Sequence, residues 1–163
     1  RSPMPPKRYR FPYRKPGINP TLRIAENSQG SNMTTEITIN ISVSIDKIHN
    51  AIIGAFEGGS CYWVHDATLR KGYQRPDDDL VWWGREEVFS QDFEFEARFD
   101  DPYKPEGNGA GRKFITNADI PRALELMATR SPKAFSDLMT EDDDATTHDV
   151  FMQYLLLGDI IYD

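Results

Sequence analysis

Apolar and polar residues alternate from Glu36 to Ser44, with Ile37, Ile39, Ile41 and Val43 set against Thr38, Asn40 and Ser42. A period of two is that of a strand with one buried face. The period then lengthens. Ile45, Ile48, Ile52, Ala55 and Phe56 recur at helical spacing, Ser44 or Asp46 stands ready to cap, and Gly58-Gly59 follows. This predicts a helix over 46–56 that ends at glycines able to take positive φ. Residues 60–65 are rich in aromatic and β-forming types and predict a short strand, with a charged loop over 66–79. Two further strands are predicted at 80–83 and 87–99. In the second, Phe93, Phe95, Ala97 and Phe99 alternate with Asp92, Glu94, Glu96 and Arg98, one face aromatic and the other charged.

The C-terminal third reads mainly as helix. Two prolines and three glycines in 100–112 predict an exposed loop, followed by a short strand at 113–115. Thr116-Asn117-Ala118-Asp119 has the form of a capping box ahead of Ile120-Pro121, predicting a helix to Arg130. Ser131-Pro132 breaks that helix and starts a second one to Met139, because proline suits a helix start and not its interior. Val150, Phe151, Tyr154, Leu155 and Leu157 mark a third stripe over 145–157, Gly158 stops it, and Ile160-Ile161-Tyr162 offers a last strand. The expected fold is α+β: one domain, with an antiparallel sheet of about four to five strands packed against three to four helices.

Composition adds a boundary. The 163 residues are 39% hydrophobic and 28% charged, enough apolar surface for one real core. Residues 1–32 carry seven basic side chains against Glu26, a charge of +6. Residues 33–163 hold 12 basic and 25 acidic residues, a charge of −13. Six prolines between Ser2 and Pro20 rule out a helix or a central strand there. The expected organisation is a basic, proline-rich arm over 1–32 and an acidic globular domain over 33–163. Gly30-Ser31-Asn32 ahead of Met33 reads as an upstream segment or tag joined to a natural start. No apolar run reaches the length of a membrane span. A lone cysteine, Cys61, fits a reducing compartment, so a cytoplasmic protein without membrane contact is expected.

Few patterns carry chemistry. His49, His65 and His148 lack the short spacing of a zinc site. Asp77-Asp78-Asp79 and Asp142-Asp143-Asp144 lack the alternating ligands and glycine of a calcium loop. Cys61 or Ser60 would need to meet His65-Asp66 or His148-Asp149 in space to act as a nucleophile. No metal, cofactor or catalytic residue is therefore assigned. Trp82 and Trp83 are adjacent, so in a strand they face opposite sides and one is left as a candidate contact. With Asp77, Asp78 and Asp79 they form the candidate partner-binding surface. In the arm, Lys7, Arg8, Arg10, Arg14 and Lys15 interleave with Tyr9, Phe11 and Tyr13, a composition that neutralises phosphates and stacks bases. The acidic domain behind it repels the same partner.

The run Ala55-Phe56-Glu57-Gly58-Gly59-Ser60-Cys61-Tyr62-Trp63 resembles an EGG-x-x-Y-W segment of small bacteriophage and prophage proteins of uncharacterised activity. The resemblance extends to Ala123–Met127, Phe135-Ser136-Asp137-Leu138, Asp144-Ala145-Thr146-Thr147, and Asp149-Val150-Phe151 through Gly158-Asp159-Ile160-Ile161-Tyr162. It implies a phage origin and brings no active-site residue. Small acidic phage proteins often bind and block a host protein, sometimes by imitating the charge of nucleic acid. The resemblance thus implies a non-enzymatic accessory protein with a host-protein partner; the alternative is a nucleic-acid binder acting through the arm.

Overall fold

The computed structural model describes residues 21–24, 35–73, 80–104 and 109–162. The arm residues Lys7 to Lys15 and the run Asp77-Asp78-Asp79 lie outside them. The chain divides into two compact units, Arg1–Ser42 and Val43–Asp163.

In the first unit, β1 (Thr21–Ile24) pairs antiparallel with β2 (Thr35–Thr38), Leu22 opposite Ile37. The alternating isoleucines thus enter a ladder only at their start, and residues 39–44 have no regular structure. Of the face expected to be buried, Ile37, Ile39 and Ile41 are exposed, while Val43 packs against the core of the second unit. Alternation states what a strand would bury, and only an apolar surface packed on it can bury it.

The second unit is α+β. Its sheet is three-stranded and antiparallel in the order β3-β4-β5: β3 (Val64–Lys71), β4 (Glu94–Asp100) and β5 (Ala110–Thr116). The described residues thus hold three strands here and two in the first unit. Five helices accompany them: α1 (Ile45–Gly54), the single turn α2 (Glu86–Phe89), α3 (Asp119–Arg130), α4 (Pro132–Thr140) and α5 (Ala145–Leu156).

Local signals explain most of these ends. Ser44 caps α1 by accepting the Lys47 N–H, and Asp144 caps α5 by accepting the Thr147 N–H at 2.9 Å. That backbone bond holds the Asp144 carboxyl below its usual range. Pro132 opens α4 as expected. Half of the predicted capping box forms, the Asp119 carboxylate accepting from the backbone N–H and the hydroxyl of Thr116.

One core joins the helices to one sheet face. Ile48, Ala51 and Ile52 of α1, Ala123 and Met127 of α3, and Phe151, Met152 and Leu155 of α5 meet Leu69, Phe95, Ala97, Phe99 and Ile115 of the sheet. α5 is buried on nearly every side, Thr147, Asp149 and Gln153 included, which marks a central helix. The Lys113 ammonium reaches the carbonyl oxygens of Leu155 and Leu156, capping its C-terminal end. Burial lowers that lysine's pKa.

Several boundaries differ from the sequence expectation. The strand predicted at 60–65 begins only at Val64 and runs through the presumed loop to Lys71, because Ala67 and Leu69 find the core while Asp66 and Arg70 face outward. Residues 80–83 are not a strand: Trp82–Gly84 form a 3-10 turn, and both indoles are half-buried against the core. The opposite-face argument for the two tryptophans therefore lapses. The strand expected from Glu87 starts at Glu94, after α2, and the loop expected to Arg112 gives way to β5 at Ala110. No strand forms at 160–162. The Gln153 side-chain oxygen instead accepts from the N–H groups of Ile161 and Tyr162, and its amide donates to the Tyr162 carbonyl. The backbone groups that a ladder would satisfy are met by one side chain.

Candidate functional site

Three places concentrate polar or apolar groups beyond what packing alone requires. The first lies where α5 meets the turn after α1. Ala55–Gly59 extend α1 as a π-helical turn, a widening that sets the following residues against α5. Neither Gly58 nor Gly59 has positive φ, so the expected conformational role is corrected. Gly59 is needed for space: a Cβ there would lie inside contact distance of the Ala145 carbonyl oxygen, whereas one on Gly58 would meet nothing.

This approach brings Ser60, Tyr62 and Trp63 to the buried carboxylate of Asp149. Oδ1 accepts from Ser60 Oγ at 2.6 Å and Trp63 Nε1 at 2.7 Å; Oδ2 accepts from Tyr62 Oη at 3.0 Å and Gln153 Nε2 at 2.8 Å. Four donors meet the four lone-pair sites of an acceptor-only group. The Trp63 indole stacks on Tyr162 at 5.1 Å, and the Tyr162 hydroxyl donates to the Asp100 carbonyl. The segments around Gly58-Gly59 and around Asp149 thus meet in one hydrogen-bonded hub. That arrangement accounts for these residue types through folding.

The second place is the outward face of the sheet. Glu96 is 2% exposed. Its Oε2 accepts from Nε and Nη2 of Arg70 at 2.9 and 2.6 Å and from Nη2 of Arg112 at 2.9 Å. Its Oε1 lies against Arg112 Nε and 3.6 Å from Arg98 Nε. It makes no aligned hydrogen bond there, so that contact is one of charge. The arginine hydrogen bonds, Arg112's foremost, outweigh the opposing effect of burial and hold the Glu96 carboxyl at about 2. Phe114, opposite Glu96 in the register, is exposed, with the Arg112 guanidinium 5.2 Å from its ring centre.

The third place surrounds Trp82. Its indole N–H donates to the Ala67 carbonyl at 2.8 Å, covering the outer edge of β3. Ala67, Leu69, Tyr73, Leu80, Trp82 and Arg85 line a shallow depression, and Tyr73, Leu80 and Val81 are exposed. Trp83 meets Phe56 at a tilt and Trp82 edge to face, its carbonyl bonds His49 Nε2 at 2.8 Å, and its buried indole N–H has no acceptor among the described residues.

The candidate nucleophiles and bases do not converge. Ser60 is committed to Asp149, and the Cys61 thiol donates to the Gly58 carbonyl. His65 pairs with Asp100 at 2.7 Å and not with Asp66. His148 pairs with Asp143 while its neighbour Asp149 points to the hub, since consecutive helical residues diverge in direction. Among the described residues, no group of three or more His, Cys, Asp or Glu is placed to hold a metal ion. None of their helices is long and apolar enough to cross a membrane.

Comparison with protein-family models, with curated proteins and with solved structures returned no match. Local geometry therefore carries the functional argument.

Sequence reading missed the Asp149 hub and the cluster of Glu96 with Arg70 and Arg112. One signal was visible, a charged position within the aromatic alternation of β4. Its cross-strand partners depend on register, which the loops between the strands conceal.

Proposed function

We propose that this chain is a non-enzymatic phage accessory protein whose folded unit binds a host protein in the bacterial cytoplasm. The supporting observation is the apolar surface around Trp82, where Leu80 is 62% and Val81 44% exposed beside a strand edge. Exposed apolar side chains grouped around a tryptophan are the composition of a contact centre. The acidic balance of residues 33–163 fits a partner with a basic rim, as in charge imitation of nucleic acid. The reading requires no cofactor.

Affinity capture from host lysate with the full chain, run beside Leu80→Asp and Val81→Asp, tests it. The expected result is a defined protein held by the parent and lost from both variants, with folding unchanged. An identical set of retained proteins on parent and variants would remove the apolar surface from the account.

A further inference from the structure

The sheet of the first unit is two-stranded, so among the described residues nothing pairs with the second edge of β2. Residues 39–42 continue the alternation of β2 and join no ladder. A row of unpaired N–H and C=O groups is a template for another strand, and proteins blunt such edges with charge, proline or a bulge. Between Glu36 and Asp46 the chain holds no charged residue and no proline, and β2 pairs with β1 without a bulge. Along this open edge Ile37, Ile39 and Ile41 are 62%, 73% and 53% exposed.

The segment is complementary to itself. Laid antiparallel on a second copy with Ile39 on the two-fold axis, it sets Ile37 against Ile41, Thr38 against Asn40, and Glu36 against Ser42. Each exposed isoleucine then meets an isoleucine, neutral polar residues meet each other, and no charge faces a like charge, which is the pairing that stabilises a ladder. A charged partner would find only Glu36 to pair with. The same patch serves on both sides, as a two-fold contact requires.

We propose that two copies of this chain join antiparallel through residues 36–42, giving a four-stranded sheet in the order β1-β2-β2-β1 with Ile39 on its two-fold axis. So short a strand on each side is far below the roughly 20–30 residues of a standard interface, so the dimer is weak, with a dissociation constant in the micromolar range. Each copy carries a net charge of −7, and the two repel at long range until salt screens them. Dimerisation should therefore strengthen as salt rises, the opposite of an interface built on ion pairs.

Sedimentation velocity of the full chain over about 1–100 μM tests it. The parent should pass from monomer to dimer in that range, and at lower concentration in about 500 mM salt than in about 50 mM. Ile39→Lys places two ammonium groups on the axis and should abolish the dimer, with an unchanged circular dichroism spectrum because the side chain is exposed; Ile39→Val should keep it. Directly opposed Cβ atoms in an antiparallel pair lie about 4.5–5.5 Å apart, close to the reach of a disulfide. With the exposed Cys61 replaced by serine, Ile39→Cys should cross-link two copies in glutathione disulfide, whereas Asn40→Cys, which faces Thr38, should not. A parent that stays monomeric throughout, or a dimer indifferent to Ile39→Lys, overturns the proposal. So does a dimer that weakens with salt, which would assign association to the basic arm of one copy on the acidic domain of another, and so does cross-linking at position 40 in place of 39.

Discussion

Removing the Asp149 carboxylate should destabilise the fold more than any other single polar change in the hub. In Asp149→Ala, the Ser60 and Tyr62 hydroxyls can rotate toward other acceptors. Trp63 Nε1 and Gln153 Nε2 cannot: the indole is fixed by its stack on Tyr162, and the amide by its bonds to residues 161 and 162. A buried donor left without a partner costs about 1–3 kcal/mol. Two such donors give a loss of about 2–6 kcal/mol, a large part of the roughly 5–15 kcal/mol that holds a domain together. Equilibrium urea unfolding measures it, with tryptophan fluorescence reporting on Trp63. Asp149→Asn keeps the volume but turns an NH2 group toward two donors, so it should also destabilise clearly. Ser60→Ala, which removes one of four bonds, should cost only about 1 kcal/mol. A loss below about 1 kcal/mol in both Asp149 variants would refute the hub as the element joining the α1 turn to α5.

Three more outcomes follow from the same geometry. Gly59→Ala should destabilise by about 1–3 kcal/mol through overpacking against α5, while Gly58→Ala should be neutral or slightly stabilising; comparing their melting temperatures decides it. The Glu96 carboxyl titrates at about 2 in the fold against an ordinary 4.5. Its contribution is complete above pH about 4.5 and is lost as the pH falls toward about 2. The stability difference between parent and Glu96→Gln should therefore shrink across that window in urea midpoints taken at stepped pH, and a constant difference would reject the assignment. Trp82→Phe should lose about 1 kcal/mol with its bond to Ala67, whereas Trp83→Phe removes a donor that has no acceptor among the described residues and should cost less. Chemical denaturation that ranked them the other way would contradict the hydrogen-bond pattern.

What the sequence determined by itself were the elements whose signals are local. Ser44 and Pro132 mark helix starts because a cap or a first-turn proline acts within a few residues. The alternation of Phe95, Ala97 and Phe99 with Glu94, Glu96 and Arg98 identified a half-buried strand because side-chain direction in a strand is fixed by parity. The acidic character of residues 33–163 was a matter of counting. Tertiary structure decided what depends on neighbours distant in the chain. Ile37 and Ile39 show a strand pattern without a buried face, since burial belongs to the pair of surfaces and not to one of them. Trp82 and Trp83 form a turn against the core because β3 offers its Ala67 carbonyl there. Ile161 and Tyr162 stay out of any ladder because Gln153 satisfies their backbone first. Asp149 gained its meaning only when α5 came close enough to Gly59 for Ser60, Tyr62 and Trp63 to reach it, and Glu96 only when register set Arg70 and Arg112 beside it. The Ser60 to Asp149 hydrogen bond spans 89 residues of chain, a distance over which local pattern carries no information.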